Sequence, residues 1–147
     1  MILREMTVDD LDEVMALEEE LFPVPWTREG FFTFLIREDT LFLAVEEKEK
    51  ILGYAGCLIV LDEADILNVG VDSGRQREGI GGFILQSLLR LLQMQGIQYV
   101  HLEVRESNGT ARRLYERNGF KVDGLRKNYY TDPTENAVLM TKTMDER

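Results

Sequence analysis

Apolar residues recur at two different spacings along the chain, and the change between them predicts the order of helices and strands. Spacings of three and four residues predict helices, and short alternating or continuous apolar runs predict strands. The chain is thus expected to form a strand, two helices, three strands, a helix, a strand, a helix and two strands. The predicted segments are 2–5, 7–21, 27–36, 41–46, 51–61, 64–71, 80–95, 99–104, 109–118, 120–125 and 137–142.

Polar residues and glycines mark the ends of these segments. Thr7 and Asp10 have the spacing of a capping box, Thr27 can cap the second helix, and Gly96 and Gly119 are typical of helix C-termini. Short charged turns join the three middle strands, which predicts an antiparallel meander. The whole order predicts an α/β (α+β) fold, in which a mixed, mostly antiparallel sheet carries helices on its faces.

Composition narrows the class of protein. A chain of 147 residues with 44% apolar and 30% charged residues is typical of one globular domain, expected here over residues 1–147. Residues 1–5 contain no basic region followed by an apolar run, and no stretch approaches the ~18 apolar residues of a membrane span. We therefore expect a cytoplasmic protein without a membrane partner. Because Cys57 is the only cysteine, an internal disulfide and a metal site of several thiolates are excluded.

The charge balance bears on partners. The chain has 17 basic and 27 acidic side chains and a net charge of −10, which argues against direct nucleic-acid binding and suits a cationic partner. An anionic ligand would need basic groups close to it. The densest candidates are Arg75, Arg77, Arg112 and Arg113.

A glycine-rich turn in segment 71–83 joins an apolar strand to a long apolar helix. Because Gly79, Gly81 and Gly82 have no Cβ, an anion can approach the backbone, and the N–H groups of the helix's first turn point toward it. The positive end of the helix dipole adds to this attraction. The turn predicts a phosphate site, although a purely structural turn has the same pattern.

Two known phosphate motifs do not match this turn. No Gly-Lys-Ser/Thr follows it, as a Walker loop requires, and Ile84 stands where a dinucleotide fingerprint has its third glycine. What remains is Gln76-x-x-Gly79-x-Gly81, which follows a strand end at 69–71. This motif resembles the pyrophosphate loop of the GCN5-related N-acetyltransferases, the GNAT family, which bind acetyl-coenzyme A.

The resemblance covers nearly the whole chain. It extends to the branch that acetylates the N-terminal alanine of a small-subunit ribosomal protein. The matching segments are Pro25-Trp26, Leu61-Asp62-Glu63-Ala64, Leu102-Glu103-Val104-Arg105-Glu106-Ser107-Asn108, Leu114-Tyr115-Glu116, Asn118-Gly119-Phe120 and Asn128-Tyr129-Tyr130. The resemblance implies the GNAT fold, acetyl-coenzyme A as cosubstrate, no metal, and a protein or peptide N-terminus as acceptor, such as that of a basic ribosomal protein.

The resemblance also implies cofactor contacts. In the family, the segment 69–71 separates from its neighbour, so that its backbone pairs with the pantetheine arm. Gly70 either allows that close approach or marks a β-bulge, and Asn108 either contacts the cofactor or caps the following helix. The negative charge of Glu78 disfavours a nearby phosphate unless its side chain faces solvent. The expected contacts are Val69, Gly70, Val71, Gln76, Arg77, Glu78, Gly79, Ile80, Gly81, Gly82 and Asn108.

Acetyl transfer to an amine needs a base and an acid. An α-ammonium with a pKa of about 8 must lose a proton before it attacks a thioester, and a tyrosine can protonate the departing thiolate. Glu103 alternates with its apolar neighbours, so it faces the opposite side of its strand, and it matches the family's base, acting through water. Tyr115 matches the family's acid. A solvated carboxylate and a core aromatic are the structural alternatives, and His101 ranks behind Glu103 as a base.

Aromatic residues are the expected walls of the acceptor groove. Trp26, Tyr129 and Tyr130 can flank an extended peptide and donate hydrogen bonds to it, or close the edge of the core. Carboxylates at 18–20 and 62–63 favour a basic peptide or form a solvated face. Cys57 is predicted to be a core residue, so transfer is direct, without an acetyl-enzyme.

Three functions remain open. The first is N-terminal acetylation, the second is acetylation of a small-molecule amine on the same fold, and the third is non-catalytic acyl-coenzyme A binding. The joint presence of Glu103 and Tyr115 disfavours the third. The acceptor and the oligomeric state are not predicted.

Overall fold

The computed structural model describes residues 1–76 and 78–144. All predicted helices and strands occur in the predicted order. The helices are α1 (Leu11–Leu21), α2 (Arg28–Leu35), α3 (Ile80–Met94) and α4 (Gly109–Arg117), with short 3-10 turns at Val8–Asp10 and Ser73–Arg75. The strands are β1 (Ile2–Glu5), β2 (Thr40–Glu47), β3 (Lys50–Val60), β4 (Glu63–Val71), β5 (Tyr99–Arg105), β6 (Lys121–Tyr130) and β7 (Glu135–Thr143). None of the helices in the described ranges is long and apolar enough to cross a bilayer.

The strands form one sheet in the order β1-β2-β3-β4-β5-β7-β6. Neighbouring strands are antiparallel except for β4 and β5, which are parallel. Strands β2, β3 and β4 form the predicted meander. The prediction of a mixed, mostly antiparallel sheet is confirmed.

Helices cover both faces of the sheet because side chains alternate along its strands. On β2, Leu43 and Val45 pack in one apolar cluster with α3 and α4, whereas Phe42 and Ala44 pack in a second cluster with α1 and α2. Helix α3 contributes a row of buried side chains to the first cluster, at Ile80, Ile84, Leu85, Leu88, Leu89 and Leu92. The helices are thus held as a pair on each face.

The parallel pair β4 and β5 is hydrogen-bonded only at its start, where Glu63, Ala64 and Asp65 pair with Tyr99, Val100 and His101. Further on, β4 stays paired with β3 as far as Val71, and β5 stays paired with β7 as far as Arg105. In its pairing with β3, strand β4 has a bulge with Leu67 as the extra residue. A bulge increases the local twist, and this one lies where β4 and β5 separate. Within the described chain, the β5-facing edge of residues 66–71 therefore has no strand partner.

Gly70 is explained by packing rather than by a bulge. The bulge lies at Leu67, so the structural alternative suggested for Gly70 is wrong. A Cβ on Gly70 would lie 2.5 Å from both Cζ and Oη of Tyr54, whose ring passes directly against the β4 backbone. Gly70 therefore makes room for Tyr54.

The last hairpin is longer than the sequence predicts. Tyr130 pairs with Glu135, so β6 continues past Leu125 and β7 begins before Ala137. Strand β6 is an edge strand with almost entirely exposed side chains. An exposed edge strand needs no alternation of apolar and polar residues. The sequence therefore has no alternating pattern that shows where β6 ends.

Candidate active site

Two clefts open where β4 and β5 separate. Their volumes are about 500 Å³ and about 480 Å³. The first extends to Val69, Asn108 and Tyr115, and the second to Asp65, His101, Asp123 and Arg126. Seven residues border both clefts: Trp26, Ile66, Leu67, Leu102, Glu103, Tyr129 and Tyr130. The clefts therefore meet at the gap between the two strands.

Glu103 lies at this junction with its side chain accessible. Its neighbours Leu102 and Val104 are buried, as the predicted alternation requires, while 35% of the Glu103 side chain is exposed. Its Oε1 lies 3.9 Å from a guanidinium nitrogen of Arg126. A hydrogen bond with Glu103 raises the pKa of the Tyr129 phenol. Glu103 is thus a reachable carboxylate that contacts both clefts.

Tyr115 combines core packing with access to the first cleft. Its side chain is 8% exposed and packs edge-on against Phe120, with ring centroids 5.7 Å apart. Burial, and to a lesser extent Tyr130, raise the pKa of Tyr115 to about 12. The phenol is therefore protonated at neutral pH, so it can donate a proton but cannot act as a base.

The two tyrosines at the end of β6 are held rigidly. Their rings meet edge to face, with centroids 5.0 Å apart and an interplanar angle of 82°. The guanidinium of Arg105 lies 4.5 Å from the ring centre of Tyr130, and that of Arg126 lies 5.0 Å from the ring centre of Tyr129. Burial and the Glu103 charge raise the pKa of Tyr130 to about 12. Both phenols keep their protons, and the Tyr129 hydroxyl already donates to Glu103.

The ring of Trp26 packs in an aromatic cluster with residues of α2. Its ring lies 5.1 Å from Phe31 and 5.2 Å from Phe34, centre to centre. Both of these residues belong to α2, whose start is fixed by Thr27, which accepts a hydrogen bond from Gly30 N at 3.0 Å. Trp26 therefore has the packing role considered from the sequence, and it also borders both clefts.

The glycine loop leaves the first turn of α3 uncovered. Gly79 has a φ of +81°, a left-handed conformation that favours glycine. Apart from its two chain neighbours, no described residue has an atom within 4 Å of the position its Cβ would take. A Cβ on Gly81 or Gly82 would contact only a methyl group of Leu114 or Val71 at ordinary distances of 3.5 Å or more. Ile80 is fully buried, whereas Gly81 and Gly82 are partly exposed. Packing alone does not require glycine at 81 and 82.

Arg75 is not a free positive charge beside this loop. Its Nε donates to Glu78 at 2.6 Å and its Nη2 donates to Glu47 at 3.2 Å. The Arg75 guanidinium in turn lowers the pKa of Glu78. Glu78 is therefore compensated by an ion pair rather than simply directed to solvent. Arg77, the second predicted basic contact, lies outside the described residues.

Of the predicted cofactor contacts that the structure describes, Val69 and Asn108 border the first cleft, whereas residues 70, 71, 76 and 78–82 do not. The Gln76 amide donates to Val71 O at 3.2 Å, which ties the loop to the end of β4. Asn108 Oδ1 accepts a hydrogen bond from Ala111 N at 3.2 Å, so Asn108 caps α4, which is the structural role considered from the sequence. Asn108 also borders the first cleft. On α4, an Nη1–H of Arg112 donates to Glu106 O at 3.1 Å. The position of Arg113 near Thr110 leaves its guanidinium on the exposed surface.

His101 and Cys57 both have structural explanations. One ring nitrogen of His101 lies against Glu63 and the other is 2.8 Å from Thr141 Oγ1, at the border of the second cleft. Cys57 is completely buried, and burial raises its pKa to about 12. A buried, protonated thiol is a poor nucleophile.

Glu18 is a site residue whose burial was not predicted from the sequence. The sequence leaves two alternatives for Glu18, a contact with a basic peptide or a solvated face. The solvated face is wrong, because the side chain is fully buried, and it borders the first cleft. The signal was present: Glu18 is three and four residues after Met15 and Val14, on the buried face of α1. Asn68, Asp123 and Arg126 were also missed, because only the strand register shows which polar strand residues reach a cleft.

Comparison with known proteins identifies the family. Residues 11–120 match the model of the acetyltransferase (GNAT) family. The ribosomal protein bS18-alanine N-acetyltransferase of Haemophilus influenzae is 37% identical over 144 residues, which cover 95% of this chain and 96% of that protein.

Solved structures give the same result for the fold. The crystal structure of the ribosomal-protein-S18-alanine N-acetyltransferase from Escherichia coli has a TM-score of 0.92 and 32% identity, covering 98% of this chain and 94% of that one. Ard1 from Thermoplasma volcanium has a TM-score of 0.91 and 26% identity, covering 99% of this chain and 98% of that one. The GNAT fold and the enzyme class expected from the sequence are confirmed: the chain belongs to the acetyltransferase (GNAT) family.

Proposed function

We propose that this protein moves the acetyl group of acetyl-coenzyme A to the N-terminal amine of a protein, the alanine of ribosomal protein bS18. The observation that carries the proposal is the position of Glu103 at the junction of two clefts. One is bordered by Val69 on the free edge of β4 and by Asn108, and the other has an excess of carboxylates along its border. The relatives named bS18-alanine N-acetyltransferases support the acceptor. The catalytic unit is the whole chain, residues 1–147.

The first cleft suits the donor. The free edge of β4 at 69–71 offers the backbone groups of Val69 and Val71 to the pantetheine amides, and Gly70 lies between them with its own backbone groups paired to β3. The first-turn amides at 80–82, next to Gly79, suit the pyrophosphate, because a helix N-terminus attracts anions. Gln76, Arg77, Glu78 and Asn108 complete the proposed donor site. No metal takes part in the proposed chemistry.

The second cleft suits a cationic acceptor. It is bordered by Asp65, Glu103 and Asp123 against the single guanidinium of Arg126. An α-ammonium and a basic peptide are attracted by such an excess of carboxylates. Trp26, Tyr129 and Tyr130 form the proposed walls, with the Tyr130 hydroxyl donating to the backbone of the peptide.

Glu103 and Tyr115 supply the proton transfers. Glu103 accepts a proton from the α-ammonium, directly or through water, and the freed amine nitrogen forms a bond to the acetyl carbonyl carbon. As the carbon–sulfur bond breaks, Tyr115 donates its proton to the departing sulfur. The second proton of the amine nitrogen passes through water to the Tyr115 phenolate, which leaves a neutral amide and restores the acid. Transfer is direct, since the chain's only thiol, Cys57, is buried in the core.

A small-molecule amine is the second candidate acceptor. The second cleft has a volume of about 480 Å³, which lies within the range of ordinary small-molecule sites. Its carboxylates would attract a polyamine as well as a peptide.

The acceptor can be identified with a panel of amines. We expect acetylation of a basic peptide that begins with the alanine of bS18, and no comparable acetylation of polyamines or aminoglycosides. The products are measured by mass spectrometry. The same peptide with a blocked N-terminus is the control for lysine acetylation. Preferential turnover of a polyamine would favour the small-molecule candidate and contradict N-terminal acetylation.

Removing either proton-transfer group should slow the chemical step. Glu103→Gln and Tyr115→Phe are each expected to lower kcat by about 10²-fold or more, because positioned acid or base catalysis contributes that much. The KM for acetyl-coenzyme A should change little. Glu116→Gln and Tyr99→Phe are matched controls at exposed positions. Unchanged turnover in both variants would contradict the assigned roles.

The pH profile should reflect the high pKa of Tyr115. With peptide acceptor, kcat/KM is expected to rise with pH as the α-ammonium, of pKa about 8, loses its proton. Because the pKa of Tyr115 is raised to about 12, the acid stays protonated, so the rate should remain level up to a pH of about 10. A fall in rate between pH 8 and pH 10, measured with buffers of constant ionic strength, would contradict Tyr115 as the acid.

A negative charge in the glycine loop should weaken the binding of acetyl-coenzyme A without destabilising the fold. In Gly82→Asp, the new carboxylate lies in the first turn of α3, where it stabilises the helix by up to about 1 kcal/mol. The same charge repels the pyrophosphate, so the Kd for acetyl-coenzyme A should rise at least about tenfold. Thermal unfolding and calorimetric titration measure the two effects. Gln86→Glu, on an exposed position of the same helix, should change neither strongly; unaltered binding in Gly82→Asp would overturn the pyrophosphate site.

A further inference from the structure

Glu18 is a buried carboxylate that the proposed proton transfers do not use. It is completely buried near the end of α1, and it borders the first cleft. A buried charge is costly unless hydrogen bonds compensate it, so its partners indicate what it does.

The carboxylate joins three separate parts of the site. Oε1 accepts hydrogen bonds from the Tyr54 hydroxyl at 2.7 Å and from the Asn68 amide, and Oε2 accepts one from the backbone N–H of Trp26 at 3.1 Å. Tyr54 belongs to β3, Asn68 to the free edge of β4, and Trp26 to the loop between α1 and α2. Asn68 borders the first cleft and Trp26 borders both.

We propose that Glu18 is a positioning residue, which fixes the wall of the acceptor site by holding the backbone of Trp26 against the diverging end of β4. This inference rests on the proposed function only for the identity of the acceptor. Both carboxylate oxygens are already occupied by donors of the protein, so Glu18 acts through these groups and is not a ligand for the substrate.

The Trp26 ring and its backbone are held by different interactions. The ring packs against Phe31 and Phe34, which fixes its environment relative to α2. The N–H bond to Glu18 fixes the same residue relative to α1 and, through Asn68, relative to β4. The carboxylate is therefore the link that sets the width of the gap between the aromatic wall and the strand edge.

The chemistry of the site requires an acid rather than an amide at position 18. Three donors point at the side chain, and a carboxylate presents acceptor oxygens to all of them. A glutamine has the same shape but carries one NH₂ group, which must face either Trp26 N–H or the Tyr54 and Asn68 donors. Two donors then face each other, and the loop or the strand edge has to move.

Three variants test this role. Glu18→Gln creates the donor conflict without changing the size of the side chain. Tyr54→Phe removes one donor and keeps the charge, so it remains informative if Glu18→Gln does not fold. Glu19→Gln is the matched control, because it makes the same charge change at the next, exposed position of α1. Trp26 is the only tryptophan, so its emission and its quenching by acrylamide report the position of the wall directly.

In Glu18→Gln we expect Trp26 to become more accessible to quencher, and the KM for the bS18 peptide to rise about tenfold, as for a misplaced binding group. The KM for acetyl-coenzyme A should rise much less. Tyr54→Phe should shift the same quantities in the same direction by a smaller amount, and Glu19→Gln should match the wild type. A role limited to general stability would lower the melting temperature without separating the two KM values.

Other outcomes overturn the proposal. It is wrong if Trp26 quenching is unchanged in a folded Glu18→Gln or Tyr54→Phe, or if the KM for acetyl-coenzyme A rises as much as that for the peptide. If the wild type acetylates no peptide, the proposed function fails separately, and Trp26 quenching still decides whether Glu18 positions the wall.

Discussion

The separation of β4 from β5 after Asp65 is the constraint on which the site depends. Each strand keeps its other neighbour, β3 or β7, so the sheet continues on both sides while a gap opens in its middle. The gap leaves backbone groups of β4 unpaired, and such groups need partners. Glu103 on β5 lies beside this gap and borders both clefts.

The acidic character of the chain favours a donor site built on backbone groups, as we propose. The net charge is −10, and Arg75, the described arginine within the loop, is already paired with Glu47 and Glu78. What the described part of the loop offers a phosphate is the left-handed Gly79 and the first-turn amides of α3. These dipoles attract an anion without a large basic patch, so the rest of the surface can stay acidic and attract a cationic acceptor.

Sequence patterns predict those features that depend only on residues close together in the chain. Helix ends, the glycine turn and the orientation of Glu103 follow from spacing and alternation. They occur as predicted except at the first helix, where Thr7 precedes a 3-10 turn and α1 begins at Leu11. Contacts between distant segments were not predictable in this way. The space that Gly70 leaves for Tyr54, the reach of Arg126 to Glu103 and the three partners of Glu18 depend on strand register and on the path of the loop before α2. Glu18 lies between these two cases. Helical spacing places it on the buried face of α1, but it does not show which groups donate hydrogen bonds to it.

The packing role of Tyr115 and its proposed role as the acid are compatible. Its position in an amphipathic helix favours core packing, and its ring does pack against Phe120. The same burial raises its pKa to about 12, because the phenolate would lose its hydration. A group that must arrive at the reaction with its proton is best kept where its charged form is unfavourable. For a proton donor, therefore, burial in the core argues for the catalytic role and not against it, provided that the hydroxyl reaches the cleft, and Tyr115 borders that cleft.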